Sequence, residues 1–441
     1  MDFLTGGILC IGLLLLLMAA GMSIGLSFLL SGFATSALLL GFDSSVSLLG
    51  QSAYFTIATP TWTAIPLFIL MGSFASYGGL ARRAYDGVNA LTRGLPGSLL
   101  VATCFGCALF GAVSGASIAT AAVFGKMALP EMRRLGYDKS LSVGCIASAG
   151  TFASMIPPSL MMMIYALFTQ QSIGKLFAAG ILPGLLTAGV YALLIIFMVK
   201  RNPRLAPQTE TADIGPQRFR RSRQASQIWP VAVIAFVVLG GLYSGWFTPT
   251  EAAAVGAIVT LFFGWMLGSF TKVSNVTDAV RESANVTAML FLINIGALFY
   301  SRVLSITRLP TELTMMLQTA DVAPIFILIG VMAIMFFLGM IMVPVGIYAL
   351  TLPIVFPLLV SLGYDPIWFG VIVLKLTEIG AITPPVGLNV FAIKGVIPKS
   401  MNISIEDIYK GCFPFILCDL FVLLLLVLFP QIALWLPNLL M

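Results

Sequence analysis

The 441-residue chain has no histidine and little charge. Without imidazole it lacks the usual proton shuttle and the commonest metal ligand. Charged residues make up 9% of the chain and hydrophobic ones 59%, whereas soluble domains carry about a quarter charged residues. That excludes a soluble globular protein and leaves an all-α polytopic membrane protein in a lipid bilayer. The net charge of +6 is no nucleic-acid signal, because the basic residues gather at the ends of apolar segments. The six cysteines lie in apolar stretches. Cys104 and Cys107 form a CxxC with no second ligand pair, so they read as small buried hydrophobes. No nucleophile–base pair or metal cluster is present, which argues against a membrane enzyme. The first apolar run, residues 6–20, lacks a basic start and flows into the next, so no cleavable signal is expected.

What the chain does have is a pair of interrupted helices. Residues 377–391 read TEIGAITPPVGLNVF within an apolar segment, 369–393. Pro384 and Pro385 remove two helix donors and clash with the preceding turn. The carbonyls of Gly380 and Ala381 are therefore expected to lose their partners. Gly387 lets the backbone turn. The alternative is a proline kink repaired by neighbouring helices. A second break, GTFASMIPPS at 150–159, carries Pro157 and Pro158 and frees the carbonyls of Ala153 and Ser154. Pro384 follows Pro157 by 227 positions (384 − 157 = 227). The same spacing links Gly136-Tyr137-Asp138 to Gly363-Tyr364-Asp365, and Pro130 to Pro357. Gly180 and Pro183 match Gly411 and Pro414 after a shift of 231 (411 − 180 = 231). The chain is a duplicated unit, 1–200 and 228–441, joined by a basic cytoplasmic linker, 201–227, with Arg218, Arg220, Arg221 and Arg223. Paired breaks at matching positions of two halves point to a transporter binding site.

Charge flanks set the orientation. Arg82, Arg83 and Arg93 mark a cytoplasmic face. Residues 96–132 have basic flanks at both ends, arms marginal for a full crossing, and a centre, GAVSGASIAT, rich in small residues. They read as a re-entrant hairpin with its tip near Ser114–Ser117, or as close packing through the GxxxG of Gly111 and Gly115. The broken helix at 139–168 then runs outward. In the second unit the hairpin is 322–362, flanked by Glu312, Asp321 and Asp365, and the broken helix is 368–393. Each unit makes an odd number of crossings, so the two repeats are inverted.

Inverted repeats bring each hairpin tip to its own broken helix near mid-membrane. The tips and breaks offer hydroxyl and carbonyl oxygens with little formal charge, which suits a hard cation. Glu378, three residues after Lys375, is expected to form an ion pair on one helix face, either functional or locking the broken helix. Lys126 either snorkels to the interface or attracts an anionic substrate.

At these residues the chain resembles the large membrane subunit of tripartite ATP-independent periplasmic (TRAP) transporters. The carriers are IPLFILMGSFASYGGLARR (65–83), FGAVSGASIATAAVFG (110–125), LPEMRRLGY (129–137), IPPSLMMMIY (156–165), LFAAGILPGLL (176–186) and TEIGAITPPVGLNVF (377–391). The resemblance implies Na⁺-driven import of a small organic anion, such as a dicarboxylate or sugar acid, across the bacterial inner membrane. It implies a periplasmic substrate-binding protein, a separate small four-helix membrane subunit, at least two Na⁺ sites, and a transport domain that moves elevator-fashion against a scaffold. Combined with the breaks, it implies Na⁺ ligands at Ser114, Gly115, Ala153, Ser154, Pro157, Gly339, Val343, Gly380, Thr383, Pro384 and Gly387. It implies substrate contacts at Ser114, Ser117, Thr120, Ser159, Thr383 and Asn389. Two positions depart from the family pattern: Ala116 where a serine is frequent, and Val343 where an acid is frequent. Backbone ligands survive both changes. The competing reading is a stand-alone Na⁺- or H⁺-coupled anion transporter of the wider ion transporter superfamily. A channel is disfavoured, because hairpins suit occlusion better than a continuous pore.

Overall fold

The computed structural model describes residues 3–207, 225–319 and 322–441. The four linker arginines and Asp321 lie outside the described residues. Every regular element among the described residues is helical. The first half comprises α1 (Phe3–Ala19), α2 (Ile24–Leu40), α3 (Phe42–Ala58), α4 (Ala64–Tyr77), α5 (Leu80–Thr92), α6 (Ser98–Ser114), α7 (Ser117–Arg134), α8 (Lys139–Ala153), α9 (Leu160–Thr169) and α10 (Ile173–Arg201). The second comprises α11 (Trp229–Tyr243), α12 (Pro249–Met266), α13 (Val273–Ile306), α14 (Leu309–Thr319), α15 (Pro324–Gly339), α16 (Pro344–Ser361), α17 (Pro366–Gly380), α18 (Leu388–Val396), α19 (Ile405–Leu428) and α20 (Gln431–Leu440). Six of these helices are long and apolar enough to cross a bilayer, or seven if the bent pair α3–α4 counts as one span.

The elements recur in order. The starts of α15, α16, α17 and α18 follow those of α6, α7, α8 and α9 by 226 to 228 positions (324 − 98, 344 − 117, 366 − 139, 388 − 160). The repeated Gly-Tyr-Asp shows why. Gly136 and Gly363 both have positive φ, at 79° and 85°, a conformation glycine adopts without a Cβ penalty. Around each, the same two bonds close the preceding helix: Tyr137 N–H to Met132 O and Gly136 N–H to Arg133 O, then Tyr364 N–H to Leu359 O and Gly363 N–H to Val360 O. This is the Schellman ending. The aspartate that follows caps the next helix, Asp138 accepting from Leu141 N–H and Asp365 from Ile367 and Trp368 N–H. One tripeptide thus ends a hairpin and starts a broken helix in both halves.

One difference between the halves lies ahead of the first hairpin. Residues 42–77 form two helices bent by 59° around Thr59 and Pro60, whereas α13 runs unbroken for 34 residues. Pro60 opens the 3₁₀ turn at this bend. The polar stretch after Asp43 is therefore helical, with Asp43 in its first turn.

Two layers result. Helix α13 lies along α2 and α4, α4 packs on α12, and α1 and α11 pack beside α2 and α12. In the other layer α8 packs against α6, α7 and α19, and α17 against α15, α19 and α10. The α8–α19 crossing brings backbones into contact: a Cβ on Gly144 would overlap the Gly411 backbone, and one on Gly411 would overlap the Ser140 carbonyl. Backbone cannot move aside as a flexible side chain can. Gly411→Val is therefore expected to destabilise the fold by about 3 kcal/mol or more. The check is a lowered melting temperature of the purified protein; an unchanged melting temperature would contradict this packing.

Candidate functional site

The site is built from two junctions, each between a hairpin tip and a helix break. In the first, α6 ends at Ser114, Gly115 turns at φ 62°, and Ala116 is extended before α7 begins. The carbonyl of Gly115 accepts from Leu160 N–H at 3.2 Å. A Cβ on Gly115 would come within 2.5 Å of the Pro158 carbonyl oxygen, so only glycine fits against the break. The tip is cross-braced: the Ser114 and Thr120 hydroxyls are 2.9 Å apart, and Thr120 donates to Ala116 O at 2.8 Å. Ser159 caps α9 by accepting from Met162 N–H.

The second junction follows the same plan. Gly387, at φ 60°, opens α18, and its N–H donates to Met340 O on the second tip at 3.3 Å. Gly339 and Gly380 pack backbone against backbone, and Gly339 also meets Thr377. Val343 is extended and caps α16, its carbonyl accepting from Gly346 and Ile347 N–H. Thr383 donates to Ile379 O at 2.7 Å. Both diproline bonds, Pro157–Pro158 and Pro384–Pro385, are cis.

Three of the carbonyls expected to be free are hydrogen-bonded. Ala153 O accepts from Ile156 N–H, Gly380 O from Thr383 N–H, and Ala381 O from Asn389 N–H. The helix ends tighten into shorter-range turns, which satisfies orphan carbonyls. For Ala381 the first turn of α18 reaches back across the break. A carbonyl oxygen keeps a second lone pair, so these groups are occupied but not closed to a cation.

The expected Lys375–Glu378 pair is not formed. Lys375 instead meets Asp419 on α19 at 2.5 Å and Thr187 on α10 at 3.1 Å, and Tyr191 donates to the other Asp419 oxygen at 2.6 Å. The carboxylate and ammonium are 0% and 2% exposed. Helical spacing offered Glu378 as a partner, but a partner from another helix completes the shell better. Asp419 went unassigned in the sequence, although a lone acid in the apolar stretch 411–441 was the available signal. Glu378 crosses to the other repeat: its Oε1 lies 2.7 Å from Ser154 Oγ at the first break. Asn389 is fully buried, with its side-chain N–H directed to Ala147 O at 3.5 Å. The two junctions are thus joined directly.

A cavity of about 440 Å³ opens beside the first tip. Ser114 and Ala116 from the hairpin, Lys126 from α7, Ser73, Ser76 and Tyr77 from α4, and Glu282 from α13 line it. It therefore sits between the two layers. Of the expected substrate contacts Ser114 lines it; Ser117, Thr120, Ser159, Thr383 and Asn389 are outside its lining.

The family model described as "Tripartite ATP-independent periplasmic transporter, DctM component" matches residues 11–432. The chain is 36% identical to the Pseudomonas aeruginosa C4-dicarboxylate TRAP transporter large permease protein DctM, over 86% of each chain. It is 33% identical to the isethionate TRAP transporter permease protein DctMQ of Oleidesulfovibrio alaskensis, over 87% of this chain and 59% of that one. Its fold matches the Alcanivorax borkumensis YdaH transporter, a structure described as having an unusual topology, with a TM-score of 0.64 at 14% identity, covering 90% of this chain and 88% of that chain.

Removing one partner of the buried pair leaves an uncompensated charge. Lys375→Met is expected to cost about 3–5 kcal/mol, read as a fall in melting temperature. Combining it with Asp419→Leu should recover most of the loss. A double variant no more stable than the single one would show that the pair does not act as a unit.

Proposed function

The chain belongs to the DctM-component family of tripartite ATP-independent periplasmic transporters, a family of inner-membrane permeases rather than enzymes, and we propose that it imports a small organic anion driven by Na⁺. A periplasmic binding protein delivers the anion, and a small four-helix membrane subunit completes the scaffold. The inverted halves supply a moving layer, containing hairpins and broken helices, that carries substrate past the layer of α2, α4, α12 and α13. The observation that carries this reading is the cavity between the layers. Lys126 is the basic residue in its lining, with serine hydroxyls around it, a combination suited to a carboxylate or sulfonate. The relatives named above carry a C4-dicarboxylate and isethionate in their names, both of these chemistries. Lys375, neutralised by Asp419, is not available to substrate. Na⁺ fits the junctions, whose oxygens come from backbone and hydroxyls.

The test is uptake into proteoliposomes containing this chain and its small subunit, with the binding protein outside. Uptake is expected only with an inward Na⁺ gradient and only with the binding protein present. Substrate accumulation without either one would overturn the reading. Lys126→Ala is expected to lower uptake at limiting substrate by about tenfold, equivalent to ~1.4 kcal/mol. Ser117→Ala and Thr383→Ala should each raise the Na⁺ needed for half-maximal uptake by about fivefold, the loss of one neutral polar contact. An unchanged Na⁺ requirement in both would count against these site assignments.

A further inference from the structure

A second cavity, of about 380 Å³, lies between α5, α6 and α10 and differs in character from the first. Thr92 supplies the polar side chain of its lining, and that hydroxyl is turned to the Val88 carbonyl at 3.1 Å. The remaining lining is aliphatic or aromatic, so neither water nor an anion finds hydrogen bonds there. Phe105, Ala108, Leu109 and Ala112 recur at i, i+3, i+4 and i+7 along α6. They form one face of the helix and span about 10 Å of its axis. The cavity is therefore a groove running inward from the cytoplasmic end of α6. Leu91 on α5 and Leu185 on α10 line it and are 60% and 51% exposed, so it opens outward past apolar side chains. Its lining includes Ile156, the half-buried residue of a break whose neighbours Ser154, Met155, Pro157 and Pro158 are buried. Ile228, just ahead of α11, also lines it, and a Cβ on Gly87 of α5 would come within 2.4 Å of the Ile228 side chain. The groove thus sits at the seam where α5 passes from one layer to the other.

Charge at the mouth of the groove points to what fills it. Arg93 follows Thr92 at the end of α5, and Lys200 and Arg201 close α10. All three are exposed. Close packing holds these helix ends together: a Cβ on Gly97, just ahead of α6, would come within 3.0 Å of Ile195 and 3.1 Å of Val199 on α10. Neither α6 nor α10 carries an acidic residue. A basic cluster on the cytoplasmic side of an apolar groove complements a phosphate headgroup whose hydrocarbon chain lies in the groove.

We propose that this groove is a lipid site: one acyl chain of an anionic phospholipid from the cytoplasmic leaflet fills it as far as Ile156, and Arg93, Lys200 and Arg201 hold the phosphate. The chain supplies apolar contacts that α5, α6 and α10 leave open, and it covers the first helix break on its bilayer side. The site requires no Na⁺ coupling, so a failure of the transport reading leaves it standing. The test is photolabelling of the reconstituted chain and its small subunit with phosphatidylglycerol carrying a diazirine near the end of one acyl chain, followed by peptide mapping. Adducts are expected on residues 105–112 and on Ile156. Ala108→Trp, which fills the groove, should remove most of them while leaving adducts on the exposed side of α19, at Leu417 and Leu424, unchanged. No adducts on 105–112, or adducts that Ala108→Trp leaves in place, overturn the site. Adducts that appear there only when the small subunit is left out assign the groove to that subunit and overturn the lipid. Phosphatidylcholine with the same diazirine should label the segment severalfold less, and equal labelling by the two lipids overturns the headgroup assignment. Should Ala108→Trp fold poorly, Lys200→Gln at an exposed position carries the test. It should lower labelling by phosphatidylglycerol about fivefold, and labelling that it does not change overturns the proposal.

Discussion

A backbone polar group without a partner costs several kcal/mol inside a bilayer, and the two diproline breaks create such groups at the centre of the molecule. The surrounding structure answers that cost. Gly115 lacks a Cβ because one would meet the Pro158 carbonyl oxygen, and Gly387 sits at a positive φ of 60° that penalises one. The hairpin tips exist at these places to supply the missing partners: Gly115 O takes the Leu160 N–H and Met340 O takes the Gly387 N–H. Tip and break are therefore one structural unit, and it occurs twice.

The same constraint explains why the junctions are stiff yet still chemically open. Shortened turns at Ala153 and Gly380, and the reach of Asn389 N–H to Ala381 O, satisfy the carbonyls once. A second lone pair on each oxygen remains. A cation drawn to such a place meets oxygens already held in position, so little ordering is needed when it binds. The buried Lys375–Asp419 pair plays a different part. It fastens α17 to α19 and, through Thr187 and Tyr191, to α10, and it removes both charges from the account of the junction. Glu378 is left facing Ser154 across the repeats.

Duplication did not produce two equal halves. Among the described residues, the buried lysine and acids of the core, Lys375, Glu378 and Asp419, all belong to the second repeat, while the cavity with Lys126 and Ser114 opens at the tip of the first. Only the first repeat bends at Pro60, where the second has the unbroken α13. A symmetric frame thus carries an asymmetric distribution of chemistry, with substrate-sized space on one side and buried charge on the other.

Much of this was legible in the sequence because it follows from local chemistry. Proline pairs interrupt helices whatever surrounds them. Gly-Tyr-Asp writes the same turn and cap at both of its occurrences, so the repeat and the helix breaks could be placed from residue spacing. What spacing could not supply was partnership between distant segments. Lys375 stands three residues from Glu378, yet its ion pair forms with Asp419, 44 positions away. The carbonyls of Ala153, Gly380 and Ala381 lack helical partners by count but acquire others once the chain turns back. That Ser154 of one repeat meets Glu378 of the other, 224 positions apart, is a property of how the two halves close on each other. Local rules fix where the backbone must break; only packing in three dimensions decides which groups meet at the break.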